Sequence, residues 1–300
     1  LRCGRGVPLV PSNILAAAWQ SGGMDHLAGY EQRDAHEFLQ AFLDILGENV
    51  RQHSALVNSS LTKEPGRNQK KATTGVVEEL FEGTLRSVSI CNECGCKRSL
   101  SEPFLNVSLP LSEDTMMRYT SRKMNVQHCL YHFTAPEVLA DPIECPYCKR
   151  KTPTRKQQTF ARLPRVLCLH LKRFDAAKNR KISAYVSFPA RSLDMGPLLP
   201  HWRESSVHNE NDTATADSKK HLSADVWYNT ESRRGCPQIL YDLVGTVNHI
   251  GTLNQGHYVS NVMVKGKWYH CNDAHVVLSD EAEVLKSDGA YLLFYLQRSS

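Results

Sequence analysis

The sequence predicts an α+β fold in which a helical N-terminal part precedes a mainly antiparallel β part. Three observations carry that expectation. Apolar residues near position 40 recur at three- and four-residue intervals. Runs beyond position 76 alternate apolar with polar, and two C-x-x-C pairs fall inside that alternating region.

The elements follow in chain order. In "DAHEFLQAFLDILGENV", Phe38, Leu39, Phe42, Ile45 and Leu46 make an apolar stripe on one helical face. Asp34, three residues before Glu37, reads as the capping residue that accepts a backbone N–H at the helix start. From Arg51 to about Gly75 the chain turns polar and reads as a loop. From Val76 onward the pattern is mainly that of strands, with "LFEGTLRSVSIC" before the first Cys pair and "EPFLNVSLPL" after it. A short helix near Val126–Phe133 leads to the second pair. "RVLCLHLKRF", bounded by Pro164, reads as a buried strand, and "KISAYVSFP" as another. Residues 203–236 are polar and without period, which reads as a surface insertion. Strands return in "YDLVGTVNHIG", "GHYVSNVMV", "KWYHCND" and "AYLLFYLQR".

Composition narrows the classes of function. In 300 residues, 36 basic side chains against 31 acidic ones leave a net charge of +5, too small and too scattered for a nucleic-acid footprint, so no direct nucleic-acid binding is expected. A hydrophobic content of 41% and a charged content of 22% exclude wholesale disorder. No apolar run is long enough for a membrane-spanning helix, and no membrane partner is expected. The chain opens on Leu1 rather than Met and lacks the apolar core of a signal peptide, so it is expected to be a fragment from a reducing compartment.

The C-x-x-C pairs are Cys91 with Cys94 in "CNEC" and Cys145 with Cys148 in "CPYC". Four thiolates satisfy tetrahedral zinc, and each pair sits at a chain reversal, Asn92–Glu93 and Pro146–Tyr147. One structural zinc tying two thin hairpins together is the expectation. Whether Cys96 or Cys129 takes part is left open. The second chemical signal is a hairpin turning at Lys265–Gly266. Symmetric pairing sets His257 opposite residue 274, and one bulge would bring Asn272 or Asp273 there instead. An imidazole beside a carboxylate or carboxamide is the base-and-orienter half of a catalytic triad. Gly256, just before it, would let a substrate backbone approach closely.

Together the blocks "GYEQRDAHEFL", the two Cys pairs, "LPRVLCLHLKRF", "GTLNQGHYVSNV" and "KWYHCNDAHV" resemble, in order, the ubiquitin-specific protease family of deubiquitinating cysteine proteases. "LDMGPLLP" and "VNHIGTLNQGHY" are similar to the branch that works in the deubiquitinase module of the SAGA transcriptional coactivator. The resemblance implies a papain-like fold with a thumb, a palm and zinc-tipped fingers that grip ubiquitin. On this likeness residues 1–75 are thumb helices and loop, and 76–300 fingers and palm. It implies hydrolysis of the isopeptide bond at the ubiquitin C-terminus. It further implies adaptor subunits, a monoubiquitinated histone as substrate and a nuclear location, with the cytoplasm a second compartment. By position, His257 matches the general base, Asn272 the third triad member and Asp273 its acidic neighbour; Gln32, Asp34 and Tyr258 match residues of the channel for the basic ubiquitin tail. The family's nucleophile block, G-N-T-C, has no counterpart here, and "LRCGRGV" around Cys3 does not match it. An N-terminally truncated, inactive catalytic domain is therefore expected, with a ubiquitin-binding pseudo-protease or scaffold as the alternative.

Overall fold

A computed structural model describes residues 11–29, 31–61, 75–111, 124–175, 178–199, 237–252 and 255–299. Cys3 and the expected insertion at 203–236 lie outside these residues. The N-terminal part is helical: α1 (Ser12–Gln20), a 3-10 turn (Asp25–Leu27) and the long α2 (Ala35–Leu61). Ala18, Met24 and Leu27 are buried there, and Phe38, Phe42 and Ile45 of the predicted stripe pack on them.

Helix α2 corrects the expected loop, since it runs ten residues past Arg51. No Gly or Pro interrupts 48–61, and Glu48 accepts hydrogen bonds from Arg51 (2.9 Å) and Gln52 (2.8 Å). Such pairs three and four residues apart support a helix that has no apolar stripe. A second correction follows at α3 (Val76–Phe81), where the sequence reads as strand. Glu78 and Glu79 in its first turn oppose the positive end of the helix dipole, and Glu78 pairs with Arg51 of α2.

Two sheets follow. The first has four strands in the order β2-β1-β7-β4: β1 (Gly83–Cys91), β2 (Lys97–Phe104), β4 (Glu137–Val138) and β7 (Thr154–Arg162). The small hairpin of β5 (Ile143–Cys145) and β6 (Arg150–Thr152) lies between β4 and β7 in the chain. The second sheet has eight strands and runs β15-β14-β13-β12-β16-β8-β3, with β11 (Leu193–Asp194) beside β12. Its members are β3 (Val107–Pro110), β8 (Val166–Lys172), β12 (Leu240–Gly251), β13 (Gly256–Val264), β14 (Lys267–Asn272), β15 (His275–Ser279) and β16 (Ala290–Gln297). Only β3 with β8 is parallel among these ladders. Helix α4 (Val126–Phe133) covers the sheet, placing Val126 and Leu130 against Leu109, Leu169, Leu171 and Leu293. All six are fully buried, at about 2 kcal/mol each, and they form the core against the large sheet.

"KISAYVSFP" departs from the expected strand. Only β10 (Arg180–Lys181) forms a ladder, with β9 (Phe174–Asp175), and Ser187 makes one bridge to Asn125. The cause is the fully buried Arg173. Its guanidinium donates to the carbonyls of Ile182 (2.9 Å), Ala184 (2.8 Å) and Ala290 (2.6 Å), so a side chain takes acceptors that a neighbouring strand would use.

Candidate active site and cysteine cluster

The hairpin of β13 and β14 turns at Lys265–Gly266, whose φ angles of 49° and 77° suit a two-residue hairpin turn. Ser260 pairs with Cys271 and Val264 with Lys267, the symmetric register. The expected bulge is absent from this hairpin. Instead β14 stops at Asn272 and reverses through Asp273, at φ 51°, into β15. Asn272, two residues short of 274, then reaches diagonally across to His257. Its Oδ1 lies 2.7 Å from His257 Nε2, and Asp273 Oδ2 lies 3.7 Å from the same nitrogen. With a carbonyl oxygen facing Nε2, that nitrogen carries the proton and Nδ1 is the free base. Deeper on the same face of β13 and β14, Asn261 Oδ1 meets His270 Nδ1 at 2.9 Å and its amide donates to Thr246 Oγ1 at 3.0 Å. This buried network fixes the strands beneath the pair.

The structure gives a reason of its own for glycine at position 256. A Cβ there would run into the His249 imidazole, so glycine is required by a neighbour within the protein. Its N–H donates to Gln32 Oε1 at 3.1 Å. Asp34 Oδ1 accepts the N–H groups of His36 (2.7 Å) and Glu37 (3.0 Å), which caps α2, while Oδ2 accepts the Tyr291 hydroxyl at 2.6 Å. Tyr258 lies beside Tyr291, ring centres 5.7 Å apart, with the Ala35 amide at its hydroxyl; burial, then the Asp34 charge, push its ionisation up to about 12. Gln32, Asp34 and Tyr258 thus gather at the start of α2.

Four aromatic residues of this cluster were not singled out in the sequence. His36 stacks on His170 at 3.9 Å, Tyr291 meets His170 edge-on at 4.7 Å, and His249 packs on Tyr258 at 4.9 Å. His170 Nδ1 lies 2.9 Å from Ser108 Oγ. Burial, then the neighbouring His36, hold His170 down to about 3, so it is an uncharged spacer. The available signal was a tyrosine in the apolar strand "AYLLFYLQR", because a buried hydroxyl needs a partner.

The Sγ atoms of Cys91, Cys94, Cys145 and Cys148 all lie within 4.8 Å of one another. Cys91 is 4.0 Å from Cys148, and Cys94 is 3.5 Å from Cys145. Tetrahedral Zn–S bonds of about 2.3 Å set sulfurs about 3.8 Å apart, so the donor set fits the ion in kind and in spacing. Gly95 and Lys149, both at positive φ, turn the two knuckles. The Thr152 hydroxyl, 3.2 Å from Cys91, and then the knuckle N–H groups bring that thiol down to about 6. Cys96 and Cys129 stand outside the group, and burial pushes the Cys129 thiol up to about 12.

Comparison with known proteins covers nearly the whole chain. The model of the family described as ubiquitin carboxyl-terminal hydrolase matches residues 5–295. The chain belongs to that family. Human ubiquitin carboxyl-terminal hydrolase 22 is 34% identical over 314 residues, covering 96% of this chain and 53% of its own length. Human ubiquitin carboxyl-terminal hydrolase 3 is 33% identical over 309 residues, covering 97% and 53%. Among solved structures, the SAGA Ubp8/Sgf11/Sus1/Sgf73 DUB module bound to ubiquitin aldehyde superposes with a TM-score of 0.67 at 31% identity, covering 95% of this chain and 53% of that one. The same module bound to monoubiquitin gives 0.65 at 30%, covering 95% and 52%. The chain spans about half the length of these relatives. As a hydrolase-family domain it has the helical thumb, the eight-stranded palm and the four-stranded fingers that end in the cysteine cluster. His257 stands on the palm, and Gln32 and Asp34 on the facing end of the thumb.

Proposed function

We propose that this chain is the ubiquitin-engaging part of a thiol-dependent deubiquitinase acting on isopeptide bonds at the ubiquitin C-terminus. The observation that carries the reading is the 2.7 Å His257–Asn272 pair beside Gln32, Asp34 and Tyr258. Imidazole Nδ1 would take the proton of a thiol and return it to the leaving lysine amine. Asn272 keeps the ring in the tautomer that leaves Nδ1 free, and Asp273 stabilises the imidazolium as it forms. The amide of Gln32 and the carboxylate of Asp34 would hold the basic ubiquitin tail in register with that nitrogen.

The same reading takes Cys91, Cys94, Cys145 and Cys148 as ligands of one structural zinc, which would hold the fingertip hairpins together. Likeness to the Ubp8 module supports a nuclear protein that works with adaptor subunits on a monoubiquitinated histone.

Among the described residues no cysteine is placed as nucleophile. Cys129 and Cys168 are buried, four others form the cluster, Cys96 sits beside it with its carbonyl accepting from the Cys91 N–H, and Cys271 alternates away from the face that carries Asn272. That observation favours a second reading for the chain as it stands, a ubiquitin-binding domain that does not cut. Titration with ubiquitin and treatment with an electrophilic ubiquitin probe test both. Saturable binding without labelling is the expected result. Failure to bind overturns the ubiquitin reading, whereas labelling of a cysteine overturns the non-cutting one.

A further inference from the structure

We propose that Tyr291 is a positioning residue whose buried hydroxyl holds the Asp34 carboxylate in the orientation that receives a cationic peptide, here the basic tail of ubiquitin. The inference rests on the ubiquitin reading above and adds a residue to it.

Asp34 is gripped from two sides. The first turn of α2 holds Oδ1 through two N–H groups, and the palm holds Oδ2 through Tyr291 at 2.6 Å. The helix cap alone needs one oxygen and leaves the other free to swing. Tyr291 removes that freedom. It is 1% exposed, and its ring is wedged against His170 (4.7 Å), Phe174 (5.4 Å) and Tyr258 (5.7 Å). Burial, then the adjacent Asp34, push its ionisation far up, so the hydroxyl remains a donor at every physiological pH.

The carboxylate is nevertheless not saturated. Its two oxygens offer about four acceptor sites, and three N–H or O–H groups occupy three of them. Among the described residues no Lys, Arg or His forms an ion pair with Asp34. A negative charge at the thumb–palm seam is thus held from two sides, partly exposed, with one acceptor direction left and no ion-pair partner among the described residues. An Arg or Lys of a bound peptide fits that direction. The neighbouring Gln32–Gly256 bond marks the same cleft as one where extended backbone could lie.

The test is a double-substitution cycle in this chain, read as ubiquitin affinity by titration. Tyr291→Phe keeps the ring and deletes the hydroxyl. It should weaken binding about tenfold, the size of one hydrogen bond to a charged group, and Asp34→Asn should weaken it at least as much. In the Asp34→Asn background, Tyr291→Phe should add less than about twofold, because the group it positions has already lost its charge. Tail-shortened ubiquitin should not distinguish Tyr291→Phe from the unsubstituted chain. Equal affinity of Tyr291→Phe and the unsubstituted chain for intact ubiquitin overturns the proposal. So does a full, additive loss in the Asp34→Asn background, which marks Tyr291 as scaffolding only. If Tyr291→Phe does not fold, Asp34→Asn alone decides, since undiminished binding by it refutes the claim. Absence of binding by the unsubstituted chain is a different result, and it refutes the ubiquitin reading itself.

Discussion

Replacing Cys145 with Ser tests the proposed zinc site at its most buried corner. Cys145 is 3% exposed and its sulfur is 3.5 Å from that of Cys94, so a serine oxygen has no room to be replaced by a water ligand without opening the knuckle. The hairpin it belongs to cannot stand alone. Strands β5 and β6 have three residues each, and of those six only Cys145 and Thr152 are buried. Small zinc modules draw about 10–16 kcal/mol from the metal. An equal share among four ligands is about 3 kcal/mol each, so Cys145→Ser should weaken zinc binding by about a hundredfold or more. Metal analysis after dialysis against buffered zinc should give one zinc per unsubstituted chain and a clear deficit for Cys145→Ser. Cys96→Ser, outside the cluster, should keep its metal. Hydrogen exchange should quicken in β5 and β6 while β8 and β16, in the palm core, keep their protection. Full occupancy in Cys145→Ser, or loss in Cys96→Ser, would refute the assignment.

Two further outcomes are expected. In a longer form that cleaves a fluorogenic ubiquitin substrate, His257→Ala should lower kcat by about 10³ or more, and Asn272→Ala by less, since it misorients the ring without deleting it; retention within about tenfold in His257→Ala would remove His257 as the base. His170, held down to about 3 against an ordinary 6.5, binds its proton first in the unfolded chain as pH falls. Its contribution is therefore complete above about pH 6.5 and drains towards about pH 3, a loss of about 2 kcal/mol between pH 7 and 5. Urea unfolding at the two pH values should show that slope flattened in His170→Gln, and an unchanged slope would contradict it.

What the sequence disclosed depended on whether the deciding contact is local. The start of α2 was legible because Asp34 caps N–H groups two and three residues away. Its end was not, because side-chain pairing around Glu48 and Arg51 leaves no apolar trace. The hairpin register was legible from the Lys265–Gly266 turn, but the device that brings Asn272 to His257 was not. A turn through a left-handed Asp273 serves where a bulge was expected. "KISAYVSFP" has the composition of a strand, and only the fold shows Arg173 taking its carbonyls. Tyr291 is the extreme case. It meets a residue 257 positions earlier, and nothing near either one announces the other.

The same division between local and distant contacts runs through the core of the domain. Its two apolar clusters are separate, one among α1, the 3-10 turn and α2, the other between the palm sheet and α4. Between them the described contacts at the start of α2 are polar or aromatic: Gln32 to Gly256, Asp34 to Tyr291, Ala35 to Tyr258, and His36 to Asn106 and His170. Net hydrogen bonds contribute about 1 kcal/mol apiece, whereas each fully buried leucine in the palm contributes about twice that. The seam is therefore directional rather than strong. It fixes how the Asp34 carboxylate faces the cleft, while farther along the buried Leu43 of α2 and Val77 of α3 add apolar packing. A bound basic peptide, lying between Gln32 and Asp34 on one side and the His257 hairpin on the other, would touch both bodies and add its own contacts to this polar seam. Ligand binding should thus tighten the alignment of the tail residues with His257 Nδ1 more than it stabilises either core.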